Sequence, residues 1–373
     1  MAKNYNKALK YLALLLTLLF TIVILPGCQG RGGENLTNAP STDTDAFITV
    51  KDCIGRQVKV PKNAERIACL YAYSGHVTVM LGCGPEVVAI NDGLRRDVLL
   101  NKVCPGIGDC IVPFTHGSIN IEELVKAEPD LVFIKGETAQ NEAEVEKLEK
   151  FNIPYVVIDF NNMEEQMNSI AVIGESLGKS ERAREYNEYY QDCIAKVQSS
   201  VADIPEQDRA RLYHSVNEAT RTDSPDSLPA DWIKTAGAIN VSVDKPLRLV
   251  EGKNYASLEQ ILLWDPDIII ANEPGVGQYI LTNNQWAPLK AVKGNKVYQM
   301  PIGISRWGHP GGMETPLGLF WTAKTVYPEK FADLDLKAEA KDYYQKFFNY
   351  SLTDEEMEQI LSGKGMRDSK NKK

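Results

Sequence analysis

The sequence predicts an α/β protein of two lobes, each a mostly parallel sheet flanked by helices, joined by one long helix. Three observations predict it. Short apolar runs rich in β-branched residues alternate with helical patterns, as in parallel sheets covered by helices. A block at 119–134 recurs without gaps at 256–271. Between the two copies runs a single apolar stripe at helical spacing, which suits either one more crossover or a rod between lobes.

The elements follow in chain order. Residues 1–27 read as a signal peptide, with Lys3, Lys7 and Lys10 ahead of the apolar run Tyr11–Leu25. That run is 15 residues long, short of the ~20 that a membrane-spanning helix needs. Leu25-Pro26-Gly27-Cys28 resembles a bacterial lipobox, so Cys28 is expected to carry a diacylglyceryl anchor that holds the protein outside the cytoplasm on the cell membrane. Residues 28–46 then form the lipidated cysteine and a flexible tether without apolar periodicity. Strands are expected at Arg66–Tyr71, Glu86–Ile90, Asp130–Lys135, Tyr155–Phe160, Arg211–Val216, Asp267–Ala271 and Lys296–Met300. Helices are expected at Ser74–Leu81, Ile121–Ala127, Ala143–Phe151 and Met163–Leu177.

After Gly178-Lys179 and a cap at Ser180, Glu181–Val201 sets Ala183, Tyr186, Tyr190, Ile194, Val197 and Val201 at spacings of three and four. The expected organisation is therefore a first lobe at 47–178, a linking helix at 179–202 and a second lobe at 203–348. A C-terminal amphipathic helix and basic tail follow at 349–373, with the end Lys370–Lys373 disordered.

In the repeated block, Asn120 and Ser257 stand at N-caps, and Glu123 and Gln260 are placed to complete capping boxes. Glu122 and Glu259 are left without a capping duty in the first helical turn. A crossover helix runs antiparallel to its strands, so both acids belong at the carboxyl edge of a sheet, where α/β folds meet ligands and partners.

Composition narrows the function. With 43% hydrophobic and 24% charged residues the bulk of the chain is folded. Its charge of −9 becomes −12 once Lys3, Lys7 and Lys10 leave with the leader, which speaks against a sequence-independent grip on nucleic acid. Cys53, Cys69, Cys83, Cys104, Cys110 and Cys193 show no C-x-x-C spacing, which speaks against structural zinc and iron–sulfur sites. They are either buried thiols or disulfides, Cys104 with Cys110 and Cys69 with Cys83. The sequence holds no G-x-S-x-G, H-E-x-x-H, Walker or G-x-G-x-x-G motif, and Gly275-Val-Gly277 lacks the third glycine. A binding protein without catalytic residues or cofactor is expected; the competing class is an extracellular metal-dependent enzyme.

In order, the opening Ile48–Pro61, the strand at Arg66–Leu70, Gly82–Ile90, the two Glu…Pro-Asp blocks and the long middle helix resemble the substrate-binding lipoproteins of bacterial ABC importers for iron–siderophores, haem and vitamin B12. The resemblance covers about 47–348. It implies two α/β lobes on a rigid helix and a ligand in the cleft between them. The implied ligand is a ferric siderophore, haem, corrinoid or related metal chelate, and the implied partners are a permease and its ATPase, served by a monomer. In that family a glutamate on each lobe docks onto permease arginines, and Glu122 and Glu259 match those positions.

The ligand site is expected where strand ends deliver side chains to the cleft. Tyr73, Arg96 and His116 come from the first lobe, and Arg221, Arg306, Trp307 and His309 from the second. Arginine forks suit carboxylate or catecholate arms, and Tyr71, Tyr73, Trp286 and Trp307 offer flat apolar walls. His116 and His309 lie in glycine-rich loops where an imidazole can take an open position on a bound metal. His214 reads as a core histidine and His76 as packing at a helix start, while Glu314 and Thr315 read as a cap on the helix Pro316–Thr325.

Overall fold

The computed structural model describes residues 46–367, all within one compact unit. The signal peptide, Cys28, the tether up to residue 45 and the basic end Lys370–Lys373 lie outside the described residues.

The chain opens with an antiparallel ribbon, β1 (Phe47–Lys51) and β2 (Gln57–Pro61), in which alternation sends Val50 and Val60 inward. The first sheet follows: β3 (Ile67–Cys69), β4 (Val87–Asn91), β5 (Ile111–Thr115), β6 (Ser118–Ile119), β7 (Leu131–Lys135) and β8 (Tyr155–Ile158). Its order is β6-β5-β4-β3-β7-β8, parallel except for the β5–β6 hairpin. The second half supplies β9 (Arg211–Ser215), β10 (Arg221–Thr222), β11 (Ile239–Asn240), β12 (Arg248–Val250), β13 (Lys253–Tyr255), β14 (Ile268–Ala271) and β15 (Val297–Gln299). Strands β11-β9-β14-β15 form a parallel sheet, and β10-β13-β12 a small antiparallel one. Each of the seven expected strands is present with its ends moved by a residue or two, six of them shortened and β4 shifted forward to end at Asn91. The ribbon and β5, five residues each, lie beyond the seven expected strands, as do β6, β10, β11, β12 and β13, whose two or three residues are too few to show a period.

The repeat is structural as well as sequential. Asp130 accepts the Arg66 N–H and Asp267 the Arg211 N–H, so each Pro-Asp turn fastens the start of the neighbouring strand. Glu128 and Asp265 hold equivalent left-handed backbone at the ends of the two repeated helices. Ser257 and Gln260 form the expected capping box. The other box is only half made: Asn120 accepts from the Glu123 amide, but the Glu123 carboxylate turns to Lys126.

The linking helix spans Ser180–Val201, 22 residues or about 33 Å. Ser180 lies inside it; Lys179 holds the N-cap position without a side-chain cap bond. Its buried face is Ala183, Tyr186, Tyr190, Cys193, Val197 and Val201, so Cys193 and not the half-buried Ile194 fills the stripe. The helix packs on Met163–Ser176 on one side and on Thr315–Val326 and Leu228–Thr235 on the other. One hydrophobic core therefore runs through both halves, with a smaller core on the outer face of each main sheet. Burying Val197 and Val201 contributes about 1.5–3 kcal/mol each, which makes the connector stiff.

The chain then returns to the first half. Leu336–Phe348 packs on helix Ala72–Met80, and Glu356 of the C-terminal helix Asp354–Ser362 pairs with Lys102 at 2.7 Å. The six described cysteines are free thiols. No helix among the described residues is long and apolar enough to cross a membrane.

Candidate ligand-binding cleft

The carboxyl edges of the two main sheets meet. Tyr71, just past β3, donates its hydroxyl to the Pro310 carbonyl at 2.6 Å, in the loop after β15. Around Tyr71, the first lobe opens a pocket of about 500 Å³ lined by Asn91, His116, Lys135 and Glu137 at or just past the ends of β4, β5 and β7. His116 turns the β5–β6 hairpin at φ 51 and is exposed.

Of the two arginines after β4, Arg95 turns away and donates to the Gly108 and Cys110 carbonyls at 2.9 Å each. Arg96 does not. Its Nε is buried without a hydrogen-bond partner, and it joins no ion pair among the described residues. Burial is the main cause of its lowered pKa; Arg367 adds to it, while Asp97, Asp92 and Glu273 oppose it.

On that lobe, the loop 300–314 is built to hold Arg306. Glu314 is fully buried, and its carboxylate accepts from Ile304 N (2.7 Å), Ser305 N (2.8 Å), Ser305 Oγ (2.6 Å) and Tyr344 Oη (2.5 Å). Glycine is needed at 303, where a Cβ would stand 1.7 Å from Tyr344 Oη, and at 312, where one would stand 1.8 Å from Ser305 Oγ. Glu314 thus pins the loop; it makes no side-chain cap bond to the helix that follows.

The pinned loop presents Arg306 with its side chain 11% exposed. Nη1 donates to Asn217 Oδ1 and, at 2.5 Å, to Glu273 Oε2, groups that follow β9 and β14. Burial pushes the guanidinium down to about 10 against the pull of Glu273. Nη2 lies 2.8 Å from His309 Nε2, while His309 Nδ1 faces the Gly311 N–H at 2.9 Å. Burial first, then Arg306, Arg367 and Arg221, hold this imidazole well below its ordinary pKa, so it is neutral and carries one ring proton. Both ring nitrogens nevertheless face donors, so in either tautomer one contact sets donor against donor. An acceptor placed there removes the conflict. The ring pair is therefore short of one acceptor, and the Nε of Arg96 on the first lobe also lacks one.

Other expected residues stand elsewhere. Tyr73 is fully buried, bonded to the Gln166 carbonyl and Ser169 and packed on Phe160, and so is core and not cleft wall. Trp307 is 1% exposed with its indole N–H on Tyr344 Oη; it faces inward because Arg306, its neighbour in the chain, takes the outward position. Trp286 is likewise buried. Arg221 is half-buried in β10 and joins no ion pair among the described residues. His214 is a core histidine bonded to Asp223 through Nδ1, and His76 lies mid-helix with Nε2 on Asp97. Among the described residues no cluster of three or more His, Cys, Asp or Glu is arranged to hold a metal ion.

Asn217, Glu273, Lys135 and Arg367, which the structure sets near or in contact with these groups, are not among the expected residues. The first three stand just past or at the ends of expected strands, a position that selects all of them equally; nothing near Arg367 in the sequence marks it.

Two α/β halves that share one core along a long helix and turn the carboxyl edges of their sheets toward each other have the architecture in which α/β folds bind solutes. The model of the periplasmic binding protein family matches residues 67–302, and the chain belongs to that family. It is 27% identical over 331 residues to the molybdate-binding protein MolA of Haemophilus influenzae, covering 82% of this chain and 92% of that one. It is 22% identical over 323 residues to YvrC of Bacillus subtilis, an uncharacterized ABC transporter substrate-binding lipoprotein, covering 85% and 97%. Among solved structures, a periplasmic solute-binding protein of Veillonella parvula superposes with a TM-score of 0.74 at 27% identity, covering 84% and 97%. MolA bound to molybdate does so at 0.74 and 25%, covering 82% and 99%. Helicobacter pylori CeuE with nickel and histidine does so at 0.68 and 25%, covering 84% and 99%. The protein is an extracytoplasmic substrate-binding component of an ABC transporter and not an enzyme.

Proposed function

We propose that the ligand is a small oxyanion, held between the lobes by Arg96, Arg306 and His309 and delivered to a permease. The observation that carries this reading is the opposition of donors at Arg306 Nη2 and His309, together with the unpartnered Nε of Arg96. An oxyanion accepts from several such donors at once, and charge-assisted bonds to arginine are the strong ones. The likeness to a molybdate-binding relative supports the same class. The second reading, an anionic metal chelate such as a ferric siderophore, draws on the pocket that sets His116 beside Tyr71 and Lys135. A neutral corrinoid would leave Arg96 unsatisfied.

The remaining parts follow from the same assignment. Lobes at 47–178 and 203–348 close on the ligand about the helix 179–202, as a monomer. Cys28 anchors the protein by its lipid, a reading supported by a relative named as a lipoprotein. Glu122 and Glu259, both exposed in the first turn of matching helices, dock the two lobes on the permease.

Calorimetric titration with molybdate, tungstate and sulfate, and separately with ferric catecholate, ferric hydroxamate and nickel–histidine, decides the ligand. Saturable 1:1 binding of an oxyanion with none of the chelates is expected. Saturable binding of a chelate without any response to oxyanions overturns the reading.

A further inference from the structure

The last described residues form a strap between the lobes. Helix Asp354–Ser362 is fastened to the second lobe at the root of the Arg306 loop, where Ile302 N–H donates to the Ile360 carbonyl at 3.0 Å. Gly363 and Gly365, both in left-handed backbone, turn the chain away from the helix. Met366 is then fully buried, and its carbonyl accepts the Val98 N–H at 3.1 Å on the first lobe. Arg367 forms an antiparallel bridge with Asp97, and its guanidinium, 14% exposed, pairs with Asp97 Oδ1. The other oxygen of Asp97 meets His76 Nε2 at 2.9 Å, so this buried carboxylate is held from both sides.

Asp97 directly follows Arg96, so Arg367 is bonded one residue along the chain from the arginine whose Nε lacks a partner. The charge of Arg367 depresses Arg96 and, from the second lobe, both Arg306 and His309. Neutralising Asp97 explains the ion pair. It does not explain why the guanidinium is set where it acts on three groups of the cleft, at the cost of mutual repulsion among arginines. Such repulsion is relieved by a bound anion.

We propose that the strap 360–367 supplies Arg367 as a third arginine of the ligand site, so that capturing the anion and fastening the chain end to the first lobe reinforce each other. A guanidinium has five donors in a fixed fork, so one edge can stay on Asp97 while the other faces the ligand. The proposal rests on the oxyanion reading.

The test compares wild type with Arg367→Gln and Arg367→Lys, using molybdate titration and the ring titration of His309 by NMR. Arg367→Gln is expected to weaken molybdate by about tenfold or more, the loss of one charge-assisted bond. It is also expected to raise the His309 pKa. Arg367→Lys keeps the charge for Asp97 without the fork, so it serves if the glutamine variant does not fold; it is expected to bind more weakly than wild type with little change at His309. Wild-type affinity in Arg367→Gln with an unmoved His309 overturns the proposal and leaves the oxyanion reading standing. If wild type binds no oxyanion, that reading falls first; a raised His309 pKa in Arg367→Gln still places Arg367 at the cleft, and an unmoved one removes it.

Discussion

Truncating Arg306 to alanine tests the heart of the site. Of its guanidinium nitrogens, Nη1 is committed to Asn217 and Glu273, whereas Nη2 faces only the opposed His309 ring. The bond available to a ligand is therefore the one from Nη2, made by a side chain only 11% exposed. A charged hydrogen bond desolvated to this degree is worth about 1.5–3 kcal/mol, or about ten- to a hundredfold in affinity. The loss falls toward the upper end, because Glu273 is left unpaired beside the incoming anion and repels it. Folding should suffer little: Glu273 is 37% exposed, and ion pairs with such a partner contribute about 0–1 kcal/mol. Calorimetry with molybdate at fixed ionic strength reads the affinity, and thermal unfolding reads the stability. A variant with an unchanged melting temperature and an affinity within about twofold of wild type would show that Arg306 does not touch the ligand.

Three further outcomes are expected. Reversing Glu122 and Glu259 together to lysine should leave ligand affinity within about threefold while uptake in cells collapses, since rim charges act mainly on docking; undiminished uptake removes the docking role. Glu314→Gln turns an amide NH2 toward buried donors of Ile304 and Ser305, and should cost about 1–3 kcal/mol of stability per orphaned donor along with ligand affinity; a wild-type melting curve contradicts the pinning of the loop. His309 is held well below 6.5 in the folded protein, so below about pH 6.5 the unfolded chain binds a proton that the native state refuses. That part of the stability is present above this pH and is lost on acidification, and His309→Gln should flatten the fall in melting temperature between neutral and mildly acidic buffer; an unaltered slope counts against a neutral buried ring.

The contrast between what the sequence disclosed and what it hid has a physical cause. The strands β7 and β8 were legible because a strand buried on both faces must be apolar at every position, and the linking helix because a one-sided rod must repeat at 3.6 residues. The repeated block was legible twice over, since the same turn fastens the same neighbouring strand in each half. Site residues obey no period. The end of a strand is a place that sequence can find, but which of two adjacent side chains faces the cleft is set by tertiary partners. Arg95 and Arg96 are neighbours, and carbonyls at Gly108 and Cys110 claim the first. Arg306 and Trp307 are neighbours, and Tyr344 claims the second for the core. Arg367 is the extreme case: it reaches the cleft 270 residues from its partner Asp97, by a path set by Gly363, Gly365 and one buried methionine. A contact of that separation depends on where two lobes and a returning chain end come to rest, and such placement leaves no local trace in the sequence around either residue.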